Sequence, residues 1–207
     1  TGQEAFHTCF GPFTEGFVYA DPDEPESLEK LASANNCCAV LFELIQGEGG
    51  VRPLSLPYVE EIKRVCEKYG LLMMIDEVQT GNGRTGSLYC YEQYGLSPDV
   101  ITTAKGLGGG LPLGAVLFGE RTKDVFDPGS HGSTFGGNPV CCAGALSILD
   151  RLDDALFADV RRKGELIKAQ LADCDGVTDV TGLGLMIGVK TTRPAKEVAA
   201  ACLEKGV

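Results

Sequence analysis

Two stretches, LLMMIDEVQTG (residues 71–81) and DVITTAKGLGGGLPLG (residues 99–114), decide how this chain folds. The first is a continuous apolar run, Leu71 to Ile75, that breaks at Asp76. The second is a run rich in β-branched residues, Val100 to Ala104, that breaks at Lys105 and a cluster of glycines. Unbroken apolar runs of this length suit strands of a parallel sheet with helices on both faces better than strands of a half-solvated sheet, which alternate. Lys105 follows Asp76 by 29 positions, about what a chain needs to leave one strand, cross back through a helix and re-enter the sheet. In an open α/β sheet the ligand crevice lies beyond the carboxyl ends of the strands, so the acid and the amine are expected to face one pocket.

The neighbouring segments extend the same pattern. Residues 37–44, CCAVLFEL, read as a further buried strand that also ends in an acid, Glu43, and QGEGG (residues 46–50) follows as a loop holding Gln46 and Glu48. Taken alone, each glutamate is an ordinary polar loop residue at a strand exit. Three strands ending in Glu43, Asp76 and Lys105 make a shared site the stronger expectation. Between them, Val59, Ile62, Val65 and Cys66 recur at helical spacing, which predicts a crossover helix over residues 57–68 that Gly70 closes as a left-handed cap. A shorter helix is predicted over residues 27–34. The glycine-dense turn TGNGRTG (residues 80–86) holds Arg84, either as an anion contact or as a stabiliser of the turn.

After Lys105, the glycines of residues 106–114 let backbone approach a ligand or another chain closely, but the Gly-Lys-Ser/Thr ending of a P-loop is absent. Residues 115–118 predict another short strand, and HGSTFGGNP (residues 131–139) a loop bearing Ser133 and Thr134 ahead of a helix through Ala143 and Leu149. From about Ala155 the pattern changes to a charged helix over residues 159–171, then to Val177–Val180 followed by TGLGLMIGV (residues 181–189), a run that reads as a strand of a smaller C-terminal domain. The GLG there, without a full GxGxxG, is read as a structural kink rather than a dinucleotide site.

Composition narrows the function classes. At 207 residues and 43% hydrophobic content the chain can bury a core. A formal net charge of −11, with no long basic run, argues against a nucleic-acid partner. Nine cysteines, including the adjacent pairs Cys37-Cys38 and Cys141-Cys142, lie mostly in apolar or helical contexts and lack CxxC spacing. They are read as free thiols in a reducing cytoplasm, and no metal site is expected. No apolar run reaches membrane-spanning length, and no signal-peptide pattern is present, so no membrane association is expected. His7, one of two histidines, is read as a non-catalytic loop residue.

In their order along the chain, IDEVQTGNGRTG, PDVITTAKGLGGGLPLGA and HGSTFGGNP resemble the class III, pyridoxal-phosphate-dependent aminotransferases, most closely the branch that acts on N-acetylornithine. The resemblance covers nearly the whole chain. It implies a fold-type I α/β architecture, with a large cofactor-binding domain over residues 1–154 and part of a small α+β C-terminal domain over residues 155–207. It implies pyridoxal 5′-phosphate as cofactor, an amino donor and 2-oxoglutarate or glutamate as small-molecule partners, and a homodimer with shared active sites.

Carried over residue by residue, the resemblance makes Lys105 the Schiff-base lysine and proton shuttle, and Asp76 the acid opposite the ring nitrogen. Such a lysine is favoured by a buried site near cationic groups, and the mouth of an apolar strand is where one is expected. Val78 would pack on the ring and Gln79 would hydrogen-bond its phenolic oxygen. Ser133 and Thr134 would reach the phosphate of the neighbouring subunit's cofactor, while Glu43 and Glu48 would line the substrate pocket. Members of the family extend beyond both Thr1 and Val207, so the chain is expected to be a central fragment. The distal arginine, the main phosphate cup and the ring-covering aromatic of the family have no counterpart within it. Ornithine, succinylornithine and 4-aminobutyrate transaminases share the same motifs. A non-catalytic binding module on the same fold is disfavoured by the joint presence of Lys105, Asp76, Gln79 and Thr134.

Overall fold

A computed structural model describes residues 6–8 and 10–207; any expectation that touches residues 1–5 or Cys9 lies outside the described residues. In chain order the elements are α1 (Pro25–Ala34), β1 (Ala39–Phe42), the short strands β2 (Ile45–Gln46) and β3 (Arg52–Pro53), α2 (Leu56–Tyr69) and β4 (Leu72–Asp76). There follow β5 (Val100–Thr103), β6 (Ala115–Phe118), α3 (Pro139–Leu149), α4 (Asp154–Ala172), the strands β7 (Val177–Leu183) and β8 (Met186–Thr191), and α5 (Ala195–Glu204). Tight 3-10 turns occupy Cys90–Tyr94 and Lys105–Gly108.

The main sheet runs β1-β4-β5-β6, with the first three strands parallel and β6 antiparallel at the edge. The expected crossover helix is α2. Ser55 caps its start by accepting from the Tyr58 N–H at 3.3 Å, and Gly70, at φ 68°, ends it in the left-handed conformation that lets the chain turn into β4. Its apolar stripe, Tyr58, Val59, Ile62, Val65 and Cys66, is buried. It packs with Met73 and Ile75 of β4 in one core that also takes in Leu28 of α1. Glu29 of α1 accepts hydrogen bonds from Arg64 and Lys68 of α2, which ties the two helices together at the surface.

Here the sheet departs from the expectation of two covered faces. Along β4, Met73 and Ile75 are buried while Leu72, Met74 and Asp76 are half-exposed. Leu41 of β1 is 58% exposed and all four residues of β6 are exposed. The physical reason is that α1 and α2 cover one face only, so the strands are apolar on both sides while a single layer of helix lies on them. The expected strand over residues 37–44 is Ala39–Phe42 and is not fully buried.

The C-terminal segment forms an antiparallel hairpin of β7 and β8 that turns at Gly184-Leu185 and packs on α4. Sequence reasoning took one strand with a kink; the GLG is part of the hairpin turn, with Gly182 and Gly184 at φ 104° and 54°. The hairpin also docks on the first part of the chain. Thr181 Oγ1 donates to the Val51 carbonyl at 2.7 Å, and the Leu185 N–H donates to the Arg84 carbonyl at 3.0 Å. No helix among the described residues is long and apolar enough to cross a membrane.

Candidate active site

Adjacent residues in a parallel register point to the same face, and this brings the acids together. Phe42, Ile75 and Ile101 lie side by side across β1, β4 and β5, and the next step along β4 and β5 pairs Asp76 with Thr102. Glu43 follows Phe42, so Glu43, Asp76 and Thr102 end three neighbouring strands on the face that the helices leave open. The Asp76 carboxylate accepts from the Val78 N–H at 2.9 Å, which turns the chain back sharply after β4. Glu43 accepts from the Gly47 N–H at 3.4 Å. Burial pushes the Glu43 carboxyl above its ordinary value; the Gly47 N–H opposes that, the Asp76 charge adds to it, the Lys105 charge opposes it, and Glu48 adds a smaller push. Asp76, Lys105 and Glu48 are therefore all within electrostatic reach of Glu43.

Lys105 opens the 3-10 turn after β5 with φ at 46°, a left-handed conformation uncommon for a lysine. Its side chain is exposed, not buried, and forms no salt bridge among the described residues. Its charge acts on the Glu43 carboxyl. A cavity of about 540 Å³ opens beside it, lined among others by Val51, Val78, Gln79, Asn82, Arg84 and Lys105. Asp76 and Glu43 stand at the strand ends outside that lining. Acid and amine thus reach neighbouring strand ends, but only the amine is in the cavity wall. Gln79 occupies the space that a side chain at position 47 would fill, so Gly47 is required for the glutamine to lie where it does. Arg84 lines the cavity, and its carbonyl accepts from the Leu185 N–H and so anchors the hairpin.

Glu48 is exposed on its loop, and Ser133 and Thr134 are exposed on the loop before α3, apart from the cavity lining. Eight cysteines among the described residues are free, and desolvation pushes buried Cys66 up to about 11 and Cys90 up to about 12. Those two thiols act as small apolar side chains.

Three residues that sequence reasoning passed over belong to the framework of the site. Glu77 is 0% exposed and points to the opposite face from Asp76, where its carboxylate accepts from the Thr80 hydroxyl and from the Tyr91 N–H at 2.8 Å. Asn82 bridges to the end of β5. Thr102 Oγ1, paired with Asp76, is buried with no hydrogen-bond partner among the described residues. The signal for Glu77 was available: strand alternation sends two successive acids to opposite faces. Nothing in the sequence marked Thr102 or Asn82.

Three acidic or basic groups at adjacent strand ends, beside a cavity that reaches a C-terminal hairpin, define a ligand-binding α/β site, and comparison with known proteins gives its family. The chain belongs to the class-III aminotransferases, whose family model matches residues 1–207. It is 42% identical over 209 residues to the acetylornithine aminotransferase of Haemophilus ducreyi, covering 100% of this chain and 53% of that protein. To the acetylornithine aminotransferase of Aquifex aeolicus it is 43% identical over 207 residues, covering 100% of this chain and 54% of that protein. Among solved structures, an ornithine aminotransferase from Toxoplasma gondii with partial occupancy of PLP at its active site aligns with a TM-score of 0.84 and 35% identity. That alignment covers 92% of this chain and 46% of that one. N-acetylornithine aminotransferase from Stenotrophomonas maltophilia aligns at 0.79 with 32% identity, covering 93% and 51%. The chain thus spans about half the length of the curated relatives it matches.

The family's cofactor is pyridoxal phosphate. The residues present fit it. Among the described residues, an exposed amine without an ion-pair partner, an acid with a main-chain hydrogen bond and a buried hydroxyl without a hydrogen-bond partner beside that acid are polar groups that a bound ring would engage.

Proposed function

We propose that the protein is a pyridoxal-phosphate-dependent aminotransferase that transfers the δ-amino group of N-acetylornithine to 2-oxoglutarate, giving N-acetylglutamate semialdehyde and glutamate. The observation that carries the reading is the convergence of Glu43, Asp76 and Lys105 at the ends of three adjacent parallel strands. The donor is supported by the acetylornithine aminotransferases among the relatives. A second reading, ornithine as donor, is favoured by the likeness to ornithine aminotransferases.

When bound, pyridoxal phosphate supplies an electron sink for the charge left as the reacting carbon loses its proton. The chain's own residues do the rest. Lys105 Nζ would hold the cofactor covalently and, once the donor's amino group has displaced it, would be the amine that takes and returns the substrate proton. Asp76 would keep a proton on the ring nitrogen, since an adjacent carboxylate favours the cationic form of its neighbour. Val78 would pack on the ring, Gln79 would donate to its phenolic oxygen, and Glu43 and Glu48 would contact the substrate. Ser133 and Thr134, exposed on their loop, would reach the phosphate bound in a second copy, and the working unit would then be a homodimer. The large domain corresponds to residues 1–154 and the smaller one to residues 155–207.

Borohydride treatment of the full-length protein mixed with pyridoxal phosphate, followed by peptide mass mapping, should label Lys105 selectively. Labelling scattered over surface lysines overturns the cofactor assignment. Asp76→Asn should keep the cofactor bound while slowing proton abstraction by 100-fold or more, on the order of the loss of one charge-stabilising group. Turnover measured across acetylornithine, ornithine, succinylornithine and 4-aminobutyrate decides the donor, and negligible rates with acetylornithine beside fast rates with another amine refute the choice made here.

A further inference from the structure

We propose that Asn82 is a positioning residue for Lys105: its side-chain amide clamps the peptide that precedes the lysine and sets the direction in which the amine leaves the sheet. The inference rests on the role given to Lys105 above. Asn82 sits in the turn that follows β4, and its Nδ2 donates twice, to Thr103 Oγ1 at 3.0 Å and to the Ala104 carbonyl at 3.1 Å. Thr103 is the last residue of β5 and is 2% exposed; Ala104 is bonded directly to Lys105. Both bonds therefore fall on the two residues ahead of the lysine. The orientation of the amide is determined by chemistry. Exchanging its nitrogen and oxygen would set one carbonyl oxygen against another, so only the Nδ2 can face Ala104.

Two features show how far the local structure bends to keep this clamp. Asn82 has φ at 55°, a left-handed conformation that asparagine tolerates better than other residues with a side chain but does not prefer. Its Oδ1 is buried without a hydrogen-bond partner among the described residues. Such features persist where surrounding contacts over-determine them, and they gather at sites of function. The clamped segment is itself unusual, because Lys105 also has a positive φ, 46°. A lysine in that conformation needs its preceding peptide held. On the far side, a Cβ at Gly106 would stand 3.4 Å from the Asn82 Cβ, so the asparagine packs against the turn both before and after the lysine. Asn82, Lys105 and Gly106 all border the same cavity.

Asn82→Gly separates the clamp from the backbone, since glycine accepts the same positive φ and removes only the amide. Two readouts on the full-length protein test it. In the cofactor-free protein, hydrogen exchange by mass spectrometry at residues 104–108 should quicken at least 10-fold, while exchange in α2 stays as in the parent. In the cofactor-loaded protein, the pH titration of the cofactor's visible absorption band, which reports the surroundings of the lysine nitrogen, should move by half a pH unit or more. Unchanged exchange at residues 104–108 together with an unchanged titration overturns the proposal. If the parent shows no cofactor band at all, the proposed function fails, and the exchange measurement alone still decides whether Asn82 holds this segment. Should Asn82→Gly lose native circular dichroism, isosteric Asn82→Asp takes its place. Its acceptor-only carboxylate cannot donate to the Ala104 carbonyl, so it is expected to quicken exchange at the same residues, and parent-like exchange in that variant overturns the proposal equally.

Discussion

Replacing Glu77 in two ways tests whether a buried carboxylate, and not just a filled volume, fixes the turn that carries Val78 and Gln79. Glu77 is 0% exposed and its carboxylate accepts from the Thr80 hydroxyl and the Tyr91 and Cys90 N–H groups. Glu77→Ala leaves those donors without an acceptor and opens a void. Each stranded buried donor costs about 1–3 kcal/mol, partly offset because a desolvated charge is removed, so a net loss of about 3 kcal/mol is expected. Glu77→Gln should behave differently. Its carbonyl oxygen can accept from the two main-chain donors, and its amide can donate to the Thr80 oxygen once that hydroxyl rotates, so stability at neutral pH should stay within about 1 kcal/mol of the parent. The pH dependence adds a sign. Burial raises the Glu77 carboxyl above its ordinary value, so between the unfolded and folded values the native chain binds more protons and stability falls as pH rises. Glutamine cannot titrate, so Glu77→Gln should flatten that part of the decline. Urea midpoints between pH 4 and pH 8 measure both effects. A Gln variant as unstable as the Ala variant, or a pH slope identical to the parent's, would refute the reasoning.

The docking of the C-terminal hairpin supplies the remaining predictions. Gly164 of α4 abuts the Gly184 carbonyl, and a Cβ there would stand 3.0 Å from the Gly184 Cα, itself wedged against Thr85. Because the added methyl meets Gly184 backbone rather than a flexible side chain, Gly164→Ala should cost about 1–3 kcal/mol despite alanine's better helix propensity, read as a lower thermal midpoint; an unchanged or higher midpoint would show that the hairpin yields freely. Thr181→Val removes the hydroxyl that donates to the Val51 carbonyl at 2.7 Å, which should cost about 1 kcal/mol. Since Val51 borders the cavity with φ at 53°, the same variant should raise KM for the amino donor more than it lowers kcat. A parent-like KM would detach the hairpin from substrate binding.

How much of this was legible in the sequence depended on whether a feature is local. The β4 and β5 strands, α2 with its Gly70 cap, and the acids and amine at strand ends could be read from apolar runs, cap residues and breaks, because each depends on a few neighbouring residues. Burial could not. A run such as Leu72–Ile75 is apolar on both sides whether one helix layer covers it or two, and here one does. The two-residue strands β2 and β3 were hidden inside a glycine-rich loop, since pairing that short leaves no periodic trace. Likewise the GLG was read as a kink because a hairpin turn and a bent strand use the same glycines to reach positive φ.

Within the site the same division has a mechanical meaning. Residues whose chemistry suits ligand contact, namely Asp76, Gln79 and Lys105, are conspicuous as types in a sequence. The residues that aim them are not, because aiming is done by contacts between segments far apart in the chain. Asp76 and Glu77 illustrate the point. One side chain turns to the open face, while its neighbour is buried and bonded to Tyr91, fourteen positions on. From that anchored pair the chain runs through Val78 and Gln79 to Asn82, whose amide holds the end of β5 just before Lys105. The seven residues from Asp76 to Asn82 thus carry the acid, the proposed ring contacts and the clamp on the lysine. A substitution among them should disturb cofactor and lysine together, whereas one on the Ser133–Thr134 loop should disturb phosphate contacts alone. The first pattern would show as a shifted titration of the cofactor band, the second as weaker cofactor binding with that titration unchanged.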